Sequence, residues 1–291
     1  EGALGTCCDF QSMITEKGNA SGSAFKFPNT VYNAAGGYLS ICSGIKGYNV
    51  TVTNGAQSGL ASVAYAMSVL RSGQENAMLA TGSDENSDIM TELFGKLGVT
   101  SEKVVAPFAG NDGFVLSDGS ASVLIEDEEA AKERGARIYC HASGYGMAHS
   151  NVKFGTLTGS EAGLTNAVNN ALADAGMTID DIDAVFGFAN GMKAVDDVEI
   201  KGLTAVFGDK LTEKPVVELK EVLGESRAAA ATTAAAHAAL MFAGKIPSQE
   251  AYSIAADGSV SKTNVEASKL NNILVAAYGA GGSYTAIVLS K

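Results

Sequence analysis

Short apolar runs alternate with amphipathic helical patterns along the chain, and this alternation limits the possible folds more than any other feature. Tyr48 to Thr53 is a β-branched and apolar run, and apolar residues then recur three, four and three positions apart from Leu60 to Leu70. That spacing places them on one face of a helix, and Ala77 to Thr81 returns to an extended pattern. Strand, helix and strand in succession predict an α/β fold.

The rest of the chain continues this order. Further strands are predicted at Phe114 to Leu116, Ala121 to Glu126, Ile138 to Gly144, Asp183 to Phe188, Val216 to Leu219, Ile273 to Ala277 and Thr285 to Leu289. Helices are predicted at Asp127 to Arg134, Glu161 to Ala175, Val195 to Phe207 and Ala228 to Phe242, each followed by glycine within two residues. Strand, tight turn and small-residue helix occur at residues 50–73 and again at 216–244, which indicates two related halves.

The charge balance excludes some classes of partner. The chain has 32 acidic and 20 basic residues and a net charge of -12, which disfavours nucleic acid and anionic membranes. No apolar run approaches the roughly 20 residues of a membrane span, and Cys7, Cys8, Cys42 and Cys140 form no CxxC pair. We therefore expect a soluble cytoplasmic protein with free thiols, no metal site and no cofactor.

The run from Thr53 to Leu60 joins a predicted strand to a helix N-terminus. A nucleophile there would gain from unpaired amides and from the positive end of the helix dipole. An enzyme of that design requires a cysteine at this turn, but the run reads Thr-Asn-Gly-Ala-Gln-Ser-Gly-Leu and contains none.

This layout resembles the nucleophile elbow of β-ketoacyl synthases, and the similarity extends over the whole chain. The run from Phe27 to Ile41 is similar to the stretch before that elbow, and Asp112 to Gly119 resembles the family's DGFV.GEG strand. Lys132 to Ala136 resembles the following RGA helix end, and Tyr278 to Gly282 resembles the terminal FGFGG turn, with Tyr278 where a gating phenylalanine is usual. The five motifs keep the family's order and nearly its spacing.

The resemblance implies a thiolase-like α/β fold of two duplicated halves in an α-β-α-β-α arrangement. We expect the first half at residues 1–150 and the second at 151–291. The matching pattern begins near Gly2 to Gly5, at the family's second strand and following helix. The family's first strand and helix are therefore absent from this sequence, and we expect a longer natural chain.

Members of this family condense acyl groups with a thiolate nucleophile and two histidines that support decarboxylation and the enolate. Counting from the flanking motif residues places the nucleophile position on Ala56, while a slip of one residue places it on Gln57, as in chain-length factors and decarboxylating ketosynthase-like domains. Neither a methyl group nor an amide attacks a thioester.

Both histidine positions are also replaced. The pattern HGT....D..E aligns on Asp196 and Glu199 and puts Phe188 at the first histidine position. The pattern K...GH aligns on Lys220, which is kept, and puts Glu225 at the second, where a carboxylate would repel an enolate.

The histidines that are present offer no substitute for the missing pair. His141 falls in a strand pattern, His149 in a polar loop and His237 in an alanine-rich helix. An altered chemistry with Glu225 as general base and Lys220 tuning it stays open, as does a decarboxylase acting on malonyl thioesters.

Ketosynthases pair across a two-fold axis, and the resemblance implies that the strand before the elbow runs beside its counterpart. We therefore expect a non-catalytic subunit, as in chain length factors, paired with an active ketosynthase that receives substrates from an acyl carrier protein. A stand-alone homodimer that binds a ligand is the third reading. The resemblance gives tunnel-lining candidates: Phe10, Met13, Ile14, Val31, Tyr32 and Tyr278.

Overall fold

The computed structural model describes residues 3–153 and 155–291. The expected start of the family pattern at Gly2 lies outside the described residues, and from Leu4 onward the chain is already helical. The helices are α1 (Leu4–Lys17), α2 (Ala34–Ser43), α3 (Ser58–Arg71), α4 (Asp88–Lys96), α5 (Glu128–Glu133), α6 (Glu161–Ala175), α7 (Lys193–Phe207), α8 (Lys220–Leu223) and α9 (Ala228–Phe242). The strands are β1 (Ala77–Asp84), β2 (Gly119–Glu126), β3 (His141–His149), β4 (Ala184–Phe186), β5 (Val216–Val217), β6 (Ser248–Ile254), β7 (Val260–Glu266), β8 (Asn272–Gly279) and β9 (Ser283–Ser290).

The strands form two sheets. Strands β1 and β2 make an antiparallel pair, and the other strands form a mixed sheet in the order β3-β9-β8-β4-β5-β6-β7. Strand β4 runs parallel to both β5 and β8, whereas β8 and β9 are antiparallel. Strand β3 precedes the expected boundary at residue 150 and yet pairs with β9, so by its hydrogen bonds it belongs with the second half.

Two helices fill the space between the sheets. Helices α3 and α9 pack against each other, with β1 and β2 on one side and the larger sheet on the other, while α6 and α7 cover the outer face of the larger sheet. Within this core lie Leu60, Met67, Ala231, Ile287 and Leu274, all buried. On the outer face of the small sheet the cross-strand pair Leu79 and Leu124 is 42% and 55% exposed.

The close approach of α9 depends on two glycines. A Cβ at Gly59 in α3 or at Gly82 in β1 would overlap the carbonyl oxygen of Ala228 and the hydroxyl of Thr232. Because α9 is built almost wholly of alanine and threonine in this stretch, its backbone can lie directly on both neighbours.

Most of the predicted elements are confirmed. The helices at Glu161–Ala175 and Ala228–Phe242 have the predicted bounds. Helix α7 ends at Phe207 as predicted and begins at Lys193, two residues before the predicted start. Gly176 ends the first of these in the left-handed conformation, with φ of 66°.

Three strand predictions are wrong in whole or in part. Residues 48–53 form no strand, because no neighbouring strand among the described residues lies beside them and they are mostly exposed; the Tyr48 amide binds the Glu75 side chain instead. Residues 114–116 form only isolated bridges, from Phe114 to Thr100 and from Leu116 to Glu225. The strand predicted from Ile138 begins at His141, where pairing with β9 begins.

Almost all of the first 56 described residues lie on the surface or are half-buried. Neither α1 nor α2 contains a buried residue, and apolar side chains from Phe25 to Val50 are exposed, Phe25 by 88% and Ile41 by 76%. No helix in the described part of the chain is long and apolar enough to cross a membrane.

Candidate functional site

The turn that leads into α3 is held by its own polar groups. Ser58 donates its hydroxyl to the Gly55 carbonyl at 2.6 Å, and its oxygen accepts the Asn54 amide at 2.7 Å. Gly55 has φ of 72°, in the left-handed region, and begins a short 3-10 turn that ends at Gln57. This geometry brings Ala56 and Gln57 to the N-terminus of α3.

The two candidates for the nucleophile position have different surroundings. Gln57 is fully buried, with its Oε1 accepting the Thr285 hydroxyl at 2.6 Å and its Nε2 donating to the Asn54 carbonyl at 3.3 Å. Ala56 is half-buried, and its amide nitrogen would lie 3.3 Å from a Cβ atom added to Gly279. The end of β8, at Gly279, therefore lies next to Ala56. The Gln57 side chain instead lies in the core.

Phe188 ends the segment that follows β4, and buried carboxylates hold its backbone. Its amide donates to both oxygens of Glu199, at 3.1 and 2.9 Å. Asp196 accepts the amides of Asn190, Gly191 and Phe108, at 3.0, 3.2 and 2.7 Å. Asp196 and Glu199, which the resemblance aligns with the aspartate and glutamate of the HGT....D..E pattern, therefore hold this loop in place.

Glu225 is satisfied on both oxygens. Its Oε2 accepts from Lys220 Nζ at 2.8 Å and from Asn190 Nδ2 at 2.9 Å, while its Oε1 accepts the Arg227 amide at 2.8 Å. Lys220 Nζ also donates to the Phe188 carbonyl at 3.1 Å and lies 3.0 Å from the centroid of the Phe188 ring. Phe188 and Glu225, which the resemblance assigns to the two histidine positions, therefore both contact Lys220.

A second pair of carboxyl groups lies deeper. Oxygens of both Glu199 and Glu218 occupy the space that a Cβ at Gly187 would need, so only glycine fits there. Burial raises the pKa of Glu218 well above its ordinary value, with the nearby Glu199 carboxylate as the next cause. Burial also raises the pKa of Glu199, and it raises that of Asp196 to about 6.

The site as a whole is acidic. Asp196, Glu199, Glu218 and Glu225 are buried carboxyl groups around one buried ammonium, that of Lys220. Like charges this close in a low-dielectric interior cannot all ionise, so the raised pKa of Glu218 follows from the arrangement itself. An incoming anion would meet the same repulsion.

Beside the ion pair there is little room. The cavity that touches Asn190, Lys220 and Glu225 has a volume of about 60 Å³. Small-molecule sites typically measure roughly 300–1,000 Å³. This cavity is therefore well below the size of a typical small-molecule site.

The tunnel candidates fall into two groups. Phe10, Met13 and Ile14 are half-buried on α1, with the Phe10 ring 5.7 Å from that of Phe27, whereas Val31 and Tyr32 are 46% and 58% exposed. Tyr278 differs from both groups because it is buried.

Tyr278 lies in the core beside the site. Its hydroxyl donates to the Val195 carbonyl at 2.8 Å and lies 3.2 Å from Glu199 Oε2, and its ring packs on Phe188 and Tyr284. A tunnel-lining or gating role for these six residues stays a prediction.

The histidines lie away from this cluster. His141 is 3.8 Å from Glu128, His149 is 3.4 Å from Ser283, and His237 packs on the Phe186 ring. In residues 3–153 and 155–291 no group of three or more His, Cys, Asp or Glu side chains is arranged to hold a metal ion.

Of the four buried carboxyl groups around Lys220, Glu218 was not identified from the sequence. Glu218 directly follows the apolar strand Val216–Val217, and a glutamate in so apolar a setting signals a buried charge. Arg227 is a second omission: it has φ of 52°, and its side chain is buried against Asp84 with 3.3 Å between Nε and Oδ2. The sequence did contain a signal for it, because a basic residue directly before a helix is unfavourable unless a carboxylate pairs with it.

Comparison with known proteins agrees with this geometry. Residues 3–131 match the β-ketoacyl synthase N-terminal domain and residues 139–252 match the β-ketoacyl synthase C-terminal domain. A 3-oxoacyl-[acyl-carrier-protein] synthase 2 from Vibrio cholerae is 31% identical over 215 residues, which are 71% of this chain and 52% of that protein. The chain thus spans about half the length of the curated relatives it matches.

Solved structures show the same fold. The ishigamide ketosynthase/chain length factor superposes with a TM-score of 0.87 at 22% identity, covering 99% of this chain and 72% of that one. A ketosynthase of a type II polyketide synthase, bound to a hexaketide and in complex with its acyl-carrier protein, also gives 0.87, at 19% identity, covering 99% and 76%. With both domains matched in order and the thiolase-like fold shared throughout, the chain belongs to the β-ketoacyl synthase family.

Proposed function

We propose that this chain is a non-catalytic ketosynthase-like subunit, of the chain length factor type, that pairs with an active ketosynthase and shapes the tunnel for the growing acyl chain. The observation that carries the proposal is the ion pair between Glu225 and Lys220. At the position where a condensing enzyme of this family uses an imidazole, a buried carboxylate is bound to the neighbouring lysine.

Electrostatics argue against condensation at this site. Malonyl groups and enolates are anionic, and the carboxylate of Glu225, which the resemblance puts at the second histidine position, would raise the energy of both. The methyl group of Ala56 supplies no nucleophile at the turn. Glu225 is equally unsuited as a general base, because Lys220, Asn190 and the Arg227 amide already occupy its lone pairs.

The exposed N-terminal segment, residues 25–53, supports a subunit role. Soluble monomers rarely expose large contiguous apolar patches, and here Phe25, Phe27 and Ile41 are 88%, 60% and 76% exposed. The backbone of residues 48–53 has no strand partner in the described chain. Pairing of this segment with its counterpart in an active ketosynthase would cover both features.

The proposal also includes an acyl carrier protein, a heterodimer and a cytoplasmic location. The active subunit would receive thioesters from an acyl carrier protein, and the net charge of -12 makes this chain a poor main docking surface for an acidic carrier. A structural neighbour that is a ketosynthase/chain length factor supports the heterodimer. A cytoplasmic location belongs to the same proposal, since four unpaired cysteines suit a reducing compartment.

Co-expression with a cysteine-bearing ketosynthase from the same source tests the proposal. We expect the two chains to copurify in equal amounts, and the isolated chain to release no carbon dioxide from malonyl thioesters. Turnover by the isolated chain would instead identify an altered-chemistry enzyme or decarboxylase. A stable homodimer that ignores the ketosynthase, measured by light scattering, would favour a ligand-binding protein.

A further inference from the structure

A second and much larger cavity lies away from the degenerate catalytic positions. Its volume is about 710 Å³, within the range of small-molecule sites. It is bounded by the C-terminal halves of α3 and α9, by β2, and by the connection between α5 and β3. No residue of the Glu225 cluster lines it.

The inner wall of this cavity is apolar. Helix α3 contributes Val63 and Met67, and strand β2 contributes Val123 and Ile125. Further apolar lining comes from Ala235, Ala239, Leu240 and Leu289. Such a wall binds hydrocarbon and offers few hydrogen bonds.

The mouth carries charges of both signs, and most of them are already paired. Arg134 binds Glu126, Arg71 binds Asp174, and Glu128 binds Lys132, with His141 3.8 Å from the same glutamate. The remaining carboxylate, Asp127, accepts the amides of Glu129 and Ala130 at the start of α5.

Arg137 is the exception at the mouth. Its guanidinium donates to the Ala243 carbonyl at 3.0 Å and lies 5.3 Å from the Tyr139 ring. It forms no ion pair with a carboxylate in the described part of the chain. An exposed guanidinium therefore lies at the opening of an apolar cavity with donors to spare for an anion.

We propose that this cavity binds a free fatty acid, with the hydrocarbon chain against the α3, α9 and β2 wall and the carboxylate on Arg137. Binding is non-covalent, because a free carboxylate has no leaving group for a thiol to displace. Burial also raises the pKa of the nearby Cys140 thiol to about 11 and keeps it protonated. The inference goes beyond the proposed function and does not depend on it, since this cavity is separate from both the catalytic positions and the exposed N-terminal segment.

Isothermal titration of the purified protein, with any subunit that copurifies, tests this proposal with octanoate, decanoate and decan-1-ol. We expect one decanoate per chain, and roughly fourfold tighter binding for each added methylene between octanoate and decanoate. Arg137→Gln should weaken decanoate by about tenfold while leaving decan-1-ol unchanged. Lys201→Gln removes an equal charge from an exposed site on α7 and should change neither.

Two variants that block the cavity complete the test. Ala239→Phe fills the cavity from α9, and Ile138→Trp closes its exposed mouth with less risk to folding; both should abolish binding of acid and alcohol while thermal unfolding stays cooperative. Absence of binding by the unaltered protein overturns the proposal. Equal decanoate affinity in Arg137→Gln, or binding that survives both blocking variants, overturns it as well and would direct attention to the exposed N-terminal segment.

Discussion

Lys220 and Glu225 form an ion pair of 2.8 Å with side chains only 5% and 6% exposed. In this arrangement a lysine and a carboxylate that would each be costly to bury alone stabilise one another. The pair also fixes Phe188 through its carbonyl and ring. Removal of either partner should therefore destabilise the folded state.

Replacing Lys220 with methionine should destabilise the protein by about 3–5 kcal/mol, because Glu225 is left buried without its counter-charge. Lys193→Met is the matched control: Lys193 pairs with Asp197 at 2.6 Å but is 60% exposed, so its loss should cost less than about 1 kcal/mol. Urea unfolding measures both. Equal effects would mean that the buried pair has no special role.

The paired carboxyls of Glu199 and Glu218 predict a pH dependence. Since the folded-state pKa of Glu218 is raised well above 4.5, the native protein binds more protons than the unfolded chain between pH 4.5 and that raised value. Stability should therefore fall as pH rises above about 6, the raised pKa of Asp196, by up to about 1.4 kcal/mol per pH unit for one proton. Glu218→Gln should flatten this slope.

A surface glutamate provides the comparison for that slope. Lys132 lowers the pKa of Glu128, so this group titrates below the window and Glu128→Gln should leave the slope unchanged. The unfolding free energy is measured by denaturant titration at each pH. A slope that persists in Glu218→Gln would assign the effect to another group.

Cysteine scanning of the turn before α3 should distinguish its two candidates. Ala56→Cys puts a half-buried thiol at a helix N-terminus, where the thiolate is favoured, so it should react readily with iodoacetamide. Gln57→Cys should be at least tenfold slower, because position 57 is fully buried. Peptide mapping by mass spectrometry separates these thiols from Cys7, Cys8 and Cys42. Faster labelling at position 57 would reverse the assignment.

The exposed N-terminal segment should be needed for pairing rather than for folding. Ile41→Asp changes a side chain that is 76% exposed, so the melting temperature of the chain should be nearly unaltered, while copurification with a ketosynthase falls at least tenfold. Val222→Asp, at 81% exposure on α8, is the control and should copurify normally. Full retention of the partner by Ile41→Asp would contradict the assigned interface.

Product length tests the tunnel candidates. In a reconstituted complex, Tyr32→Trp or Phe10→Trp adds volume where the resemblance places the acyl chain, so the main product should shorten. Mass spectrometry of the extracted products gives the length directly. Unchanged products at normal complex yield would remove these residues from the tunnel.

Local patterns were sufficient for the long helices α6, α7 and α9, but α2, α4 and several strands were not predicted correctly. The period of α9 and the glycine after α6 are set by nearby residues, so their bounds could be predicted. Residues 48–53 have a strand composition, but a strand needs a hydrogen-bonded neighbour, and sequence does not report whether one is present. The hairpin of β6 and β7 was missed because its strands contain few apolar residues, so no regular apolar-polar alternation marks them.

The resemblance assigned the replaced catalytic positions to Ala56, Phe188 and Glu225, and this assignment stays a prediction. The contacts of these residues could not be predicted. That Glu225 would bind Lys220, or that Glu218 would lie beside Glu199, depends on side-chain directions across β4, β5 and α7. Contacts between residues far apart in sequence are what a motif search cannot supply.

Helix α9 lies directly over Gly59 and Gly82. A single methyl group at either position would overlap the Ala228 carbonyl and the Thr232 hydroxyl, so it would have to push the central helix away from both α3 and β1. In this chain the absence of two side chains therefore determines how closely the central helix can approach the small sheet.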